Sequence, residues 1–277
     1  MLLKINLLLS ALVTALAWVP GGMTVSLLWT VPLYFAGSFL VLTALNVAFL
    51  WTACQFIDTD KPRTGDSPFY RRLAYFYIDA LIAYLQVRIH PEGLEKCPKD
   101  GRFLLVCNHL FVADPGILLH CFQDSQLAFI SKKENRDLFV VGKIMHAMLC
   151  QCIDRDNDRS ALKTILECIK IIKEDSASIA VFPEGGTNHD NHLHPFRSGV
   201  FKIAEKCQVP IVVCTLQGTR DILRNGLRLK GTDVRLHLVD VIRPEDYAGK
   251  KTVEISGQVF EMMKNDLDPE YQPMEST

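Results

Sequence analysis

Phe103-Leu104-Leu105-Val106-Cys107-Asn108-His109-Leu110-Phe111-Val112-Ala113-Asp114-Pro115 is the stretch that decides how this chain is read. Its opening residues, Phe103 to Val106, form an apolar run with the length of a short buried strand. A histidine and an aspartate delivered where such a strand ends stand on a rigid scaffold, as site residues do. The imidazole can act as a base near neutral pH. A carboxylate on its other nitrogen fixes the tautomer and favours the protonated form. Asp114-Pro115 equally suits a turn or the start of a helix, with the aspartate as its N-cap. On these residues alone both readings stand.

Outward from this stretch, apolar runs alternate with helical patterns from Pro91 onward. Candidate strands are Phe103–Cys107, Leu127–Ile130, Ser178–Phe182, Pro210–Leu216 and Val234–Val241. Arg159–Lys173 carries Leu162, Ile165, Leu166, Ile169 and Ile172 at helical spacing, and Ser198–Cys207 and Thr252–Leu267 read as further helices. The alternation predicts an α/β domain with a mixed, largely buried sheet flanked by helices.

The N-terminal side has a different character. From Met1 to Ile57 the only formally charged side chain is Lys4. Two apolar runs, Leu2–Trp18 and Val25–Phe56, flank Pro20-Gly21-Gly22, and the second run contains Pro32 and Gly37. This is the pattern of a membrane-anchoring helical segment of one or two helices. A cleaved signal peptide is the rival for the first run, but a second apolar run follows at once, which favours retention. Lys61, Arg63, Arg71 and Arg72 follow the second run and put the soluble part on the cytoplasmic side by the positive-inside tendency. Phe69–Val87 is expected either to lie on the membrane surface as an amphipathic helix or to pack against the domain. The predicted division is an anchor over 1–57, an amphipathic linker helix over 58–90, the α/β domain over 91–267 and a short disordered tail over 268–277.

With 277 residues and a net charge of −1, the chain has no bulk basic signal for nucleic acid. Its nine cysteines, at 54, 97, 107, 121, 150, 152, 168, 207 and 214, fit neither a disulfide framework nor a zinc spacing, and read as reduced thiols of a cytosolic domain.

Four more stretches carry possible chemistry. Ser131-Lys132-Lys133-Glu134 follows a strand and offers two ammonium groups, either as solvated surface or for a phosphate. Ile153-Asp154-Arg155 places an ion-pair-capable couple after an apolar residue, where a loop salt bridge is the plain alternative. Phe182-Pro183-Glu184-Gly185-Gly186-Thr187 ends another strand, with glycines that allow a ligand close to the backbone. Arg197 follows with a guanidinium suited to bidentate phosphate contact.

Together and in this order, these stretches resemble the PlsC-type glycerolipid acyltransferases, the family of lysophosphatidic acid acyltransferases. The likeness covers about Phe103 to Thr215. Its blocks stand here as Asn108-His109 with Asp114, Ile153-Asp154-Arg155 with Lys132 ahead of it, Phe182-Pro183-Glu184-Gly185, and Val209-Pro210-Ile211-Val212-Val213. The resemblance implies a 1-acyl-sn-glycerol-3-phosphate O-acyltransferase that makes phosphatidic acid in phospholipid biosynthesis. His109 would be the base and Asp114 its orienting partner. Backbone N–H groups near the turn would stabilise the oxyanion, and no covalent intermediate or metal would be needed. Asn108, Lys132, Arg155, Glu184, Gly185 and Arg197 would shape the acceptor site. The partners implied are a lysophospholipid acceptor, acyl-CoA or acyl carrier protein as acyl-donor substrate, and the bilayer. No cofactor is implied, and the oligomeric state is left open.

Two features depart from the family pattern. Thr-Arg usually follows Glu-Gly in the third block, and here Gly186-Thr187 stand there, so Arg197 or Lys133 would have to supply the phosphate-facing cation. Leu149 and Cys152 replace the usual glycine and phenylalanine ahead of Ile153. Both leave acyl transfer intact and open the acceptor head group, so another lysophospholipid or a glycerol-like acceptor is the alternative. Three rivals come from other chemistry. Cys107 could share a face with His109 as a thiolate nucleophile. His189, His192 and His194 crowd one loop and invite a metal reading. A catalytically silent lipid-binding membrane protein could keep the same fold.

Overall fold

The computed structural model of the chain describes residues 1–18, 27–63, 65–154, 158–187 and 190–274. The N-terminal part consists of helices α1 (Leu2–Trp18), α2 (Leu27–Gln55) and α3 (Pro68–Tyr84). Strands and helices then alternate as β1 (Val87–Glu92), β2 (Leu104–Cys107), α4 (Asp114–Cys121), β3 (Leu127–Lys132), α5 (Val141–Ala147), β4 (Gln151–Ile153), α6 (Asp158–Lys173) and β5 (Ser178–Val181). The series ends with α7 (Lys202–Cys207), β6 (Ile211–Gln217), α8 (Ile222–Leu227), β7 (Thr232–Ile242), α9 (Pro244–Tyr247) and α10 (Thr252–Asp266).

Among the described residues the strands form one seven-stranded sheet in the order β1-β7-β6-β2-β5-β3-β4. Strands β2 to β6 run parallel to one another, while β7 is antiparallel to β6 and parallel to β1. The expected mixed α/β architecture is therefore present. Alternate side chains of the central strands go to opposite faces. Leu104, Val106, Ile179, Val181, Ile211 and Val213 pack with α6, α7 and α10 on one side. Leu105, Cys107, Ala180, Val212 and Cys214 pack with α3 and α4 on the other. With both faces covered, the strands need continuous apolar runs, which is what made them legible.

Several expectations change. In α6 the buried positions are Thr164, Ile165, Cys168, Ile169, Ile171 and Ile172, whereas Leu162 and Leu166 face outward. The C-terminal end is packed through residue 272 rather than disordered. Tyr271 lies in a short 3-10 turn, its carbonyl accepts the Leu193 N–H at 2.9 Å, and its hydroxyl accepts the Gly218 N–H at 3.2 Å. Strand β1 contains Pro91 and is an edge strand, where a missing N–H is tolerated.

The N-terminal helices make a hairpin mounted on α3. Helix α1 has 17 residues, about 25 Å at 1.5 Å per residue, and α2 has 29, about 43 Å. Residues Trp29–Gln55 are long and apolar enough to cross a bilayer. Three tyrosines of α3, spaced by seven residues, share one helix face and hold the hairpin. Tyr70 donates to the Ala53 carbonyl at 3.1 Å and Tyr77 to the Asn46 carbonyl at 2.8 Å, while the Tyr84 hydroxyl accepts the Asn6 side-chain amide at 3.0 Å.

The 69–87 alternative resolves toward packing, since Ala74, Tyr75, Ile78 and Ile82 of α3 enter the domain core. Arg71, expected among the charges that orient the anchor, is buried instead. Its guanidinium pairs with both oxygens of Asp66 at 2.6 and 3.0 Å and donates to the Leu127 carbonyl at 2.8 Å. A buried guanidinium is tolerable only when its hydrogen bonds are filled in this way. Removing it strands the Asp66 carboxylate. Arg71→Met should lower unfolding stability by about 3–5 kcal/mol in a denaturant titration of detergent-solubilised protein, and Asp66→Asn on top should recover part of the loss.

Candidate active site

The site follows from one adjacency. Strands β2 and β5 are parallel neighbours with Val106 opposite Val181. His109 and Glu184 each lie three residues beyond that last pair, so both leave the sheet at the same edge. Ligands in open α/β sheets bind at the carboxyl ends of the strands, and these two residues stand there.

Asp114 organises the turn after β2. The residue is fully buried. Its Oδ2 accepts the His109 Nδ1–H at 2.8 Å, the Leu110 N–H at 2.7 Å and the Phe111 N–H at 2.8 Å. The bonded carboxylate favours the tautomer with the proton on Nδ1, which leaves Nε2 with a lone pair outward. The ring is stacked on Phe182 at a centroid distance of 4.2 Å and an interplanar angle of 20°. The N-cap alternative for Asp114 does not hold. Ala113 is the N-cap of α4, no side chain caps it, and Asp114 is the first helical residue, its carboxylate turned back to the His109 ring and the turn before it.

Glu184 is a bracket between two loops. Its Oε1 accepts the His109 N–H at 2.7 Å, and its Oε2 accepts the His194 N–H at 2.9 Å. The N–H groups of His109, Leu110 and Phe111 are thus all taken by carboxylates. Of the N–H groups expected to serve as oxyanion donors near this turn, these three are therefore already committed.

Gly185 has φ +82°, and a Cβ placed there would stand 2.6 Å from Nε of Arg197. Only glycine lets the Arg197 side chain lie against this backbone. The Arg197 N–H donates to the Pro183 carbonyl at 2.8 Å, which ties the two segments together. Its guanidinium has no carboxylate partner among the described residues. Lys133, the other candidate cation, donates to Asp154 Oδ2 at 2.8 Å.

Thr187 is the residue that the sequence reading missed. Its hydroxyl stands 2.9 Å from His109 Nε2, on the side of the ring away from Asp114. The signal was present, because a second glycine after Glu184-Gly185 shifts the threonine by one position from its place in the family pattern.

The remaining expected site residues divide. Asn108 does not face the acceptor side. It is 1% exposed, its amide nitrogen donates to the Leu216 carbonyl at 2.9 Å, and its oxygen accepts the Leu216 N–H at 2.7 Å. The side chain extends the pairing of β2 with β6 by one step. Lys132 is at the exposed end of β3, 3.6 Å from Glu134. Arg155 and His189 lie outside the described residues. His192 is 2.7 Å from the Gln272 carbonyl and His194 is 2.9 Å from Asp190. Among the described residues no three His, Cys, Asp or Glu side chains gather as a metal would require.

Cys107 is fully enclosed, and burial pushes its thiol well above the ordinary range. A nucleophilic thiolate needs the opposite environment. The thiolate rival fails on that ground.

Residues 88–217 match the family model described as Acyltransferase. The chain is 35% identical over 176 residues to a chloroplastic 1-acyl-sn-glycerol-3-phosphate acyltransferase of Brassica napus, covering 60% of this chain and 50% of that one. It is 31% identical over 201 residues to a 1-acyl-sn-glycerol-3-phosphate acyltransferase of Chlamydomonas reinhardtii, covering 70% and 57%. The chain thus spans about half the length of these curated relatives. Among solved structures, the 1-acyl-sn-glycerophosphate (LPA) acyltransferase PlsC of Thermotoga maritima superposes with a TM-score of 0.62 at 22% identity, covering 96% of both chains. That likeness establishes the fold. The resemblance read from the four blocks is borne out by these matches.

Two outcomes follow for the site. Asp114→Asn places an amide nitrogen where Oδ1 has no partner among the described residues, so stability should fall by about 1–3 kcal/mol in chemical denaturation. Asp114→Ala should fall further, because it leaves two backbone N–H groups unmatched as well. Iodoacetamide should label Cys107 only after unfolding, as peptide mass spectrometry would show, and labelling of the folded protein would restore the thiolate reading.

Proposed function

We propose that the chain transfers a fatty acyl group from an acyl thioester to the free hydroxyl of lysophosphatidic acid, giving phosphatidic acid. The observation that carries this reading is the hydroxyl of Thr187 at 2.9 Å from His109 Nε2, opposite the Asp114 contact at 2.8 Å. The imidazole is oriented to take a proton from a hydroxyl, and one already stands where an acceptor hydroxyl would attack. That geometry satisfies the distance a general base needs.

In the proposed reaction the acceptor displaces Thr187, and its oxygen attacks the thioester carbonyl as its proton passes to Nε2. The tetrahedral intermediate collapses, the C–S bond breaks, and the imidazolium returns the proton to the departing thiolate. Asp114 stabilises the imidazolium through Nδ1. The thioester is already activated, so a direct attack needs no acyl-enzyme. No cofactor is required beyond the donor, which is acyl-CoA or acyl carrier protein.

Arg197 is the cation we assign to the acceptor's phosphate, with Lys132 and Arg155 as further contributors. Its guanidinium lies against Gly185, next to the position where the family's usual arginine is missing, and that closeness supports the assignment. The domain would work at the bilayer surface, on the cytoplasmic side, with the hairpin as anchor. Acceptor and product then stay in the membrane throughout. Gly186-Thr187 supports the second reading, a lysophospholipid with another head group, because this pair departs from the family pattern beside the base.

Acyl transfer from acyl-CoA and from acyl carrier protein to a panel of lysophospholipids tests both readings in detergent. His109→Ala should reduce turnover by about 10²- to 10⁴-fold while the protein remains folded by far-ultraviolet circular dichroism. Turnover confined to acceptors other than lysophosphatidic acid would move the assignment to the second reading. Silence on every acceptor would leave a lipid-binding protein.

A further inference from the structure

We propose that Leu223, Leu227 and Leu229, with Arg224, Arg228 and Lys230, form a second membrane contact that docks on an anionic lipid surface. The three leucines lie within seven residues and are 50%, 78% and 78% exposed. Large apolar side chains clustered in this way mark an interaction surface. Leu229 also has φ +54°, a conformation that asparagine or glycine adopts at less cost. A bulky side chain is therefore held outward on a strained backbone. The turn is firm, since the N–H groups of Arg228 and Lys230 donate to the Asn225 carbonyl at 3.0 and 2.9 Å.

The charges fit a negatively charged partner. Arg224 pairs with Asp221 at 2.8 Å, while Arg228 and Lys230 have no ion pair among the described residues. Basic side chains beside exposed leucines are the composition of an interfacial segment, where apolar groups enter the headgroup layer and cations meet acidic lipids.

Position settles the choice of partner. A Cβ on Gly226 would stand 2.6 Å from Leu85 Cδ2, so α8 sits directly against the residue that ends α3. The preceding residue, Tyr84, holds Asn6 of the hairpin. Two consecutive residues thus carry the anchor and the leucine face, which makes the face continuous with the base of the hairpin. An acidic carrier protein would use the same cations, but it has no need of three exposed leucines beside the anchor.

The inference rests on the membrane-anchored reading and not on the acyl-transfer reaction, so its test measures no turnover. The full chain is placed in nanodiscs of phosphatidylcholine alone or with phosphatidylglycerol, and amide hydrogen exchange is followed by mass spectrometry. Residues 222–230 should exchange about tenfold more slowly in the anionic discs, and the difference should vanish in Leu227→Glu/Leu229→Glu and shrink in Arg228→Glu/Lys230→Glu. Exchange over Leu104–Cys107 reports that each variant is folded. Equal exchange in both lipids overturns the proposal, as does protection that appears only when acyl carrier protein is added. A chain that does not enter either disc overturns it together with the anchoring reading.

Discussion

One carboxylate oxygen holds the candidate site together. Oδ2 of Asp114 accepts three N–H groups, from the His109 ring and from the backbone of Leu110 and Phe111. These bonds close the turn that carries His109, orient its ring and compensate a negative charge that has no access to water. The two jobs cannot be separated. A carboxylate that only oriented the ring would leave two amides without acceptors, and one that only closed the turn would leave the tautomer unset.

A second carboxylate extends the same logic across the sheet. Glu184 joins the backbone of His109 to that of His194, so the loops after β2 and β5 are fixed relative to each other. Phe182, two residues earlier in the chain, supplies the plane on which the imidazole lies. The short Phe182-Pro183-Glu184-Gly185 stretch therefore acts on the histidine from two directions, through its ring and through its backbone. Gly185 adds the third function by admitting Arg197. Parallel pairing of β2 with β5 is the condition for all of this, because residues 75 positions apart in the chain leave the sheet together.

What the sequence disclosed follows from these physical demands. Central strands such as Leu104–Cys107 are covered on both faces and must be apolar throughout, so they were visible. Strand β4 has only three residues and β1 contains a proline, and neither length nor pattern marked them. Asn108 was expected at the acceptor site because it belongs to the first block of the resemblance, yet the sheet claims its amide through Leu216. Arg71 was counted among the cations that orient the anchor, although adjacency to other cations says nothing about burial. Thr187 was signalled only by the extra glycine before it, and its meeting with the His109 ring became visible once the path of the loop after Glu184 was known.

Helix α3 explains why the hairpin and the domain form one object. Its Tyr70, Tyr77 and Tyr84 face the hairpin, while Ala74, Tyr75 and Ile78 enter the core. Arg71, on the same helix, is bonded to the Leu127 carbonyl at the start of β3. A rigid helix shared by both parts fixes the height of the sheet edge above the hairpin. Under the proposed function this height is a catalytic variable, since an acceptor hydroxyl has to reach His109 Nε2 while its acyl chain stays among lipids. A flexible linker would let the domain sample many heights, at an entropic cost to each productive encounter. Under that same proposal the seven-residue tyrosine spacing is part of how an acceptor would reach His109, since it sets where the hairpin stands against the domain.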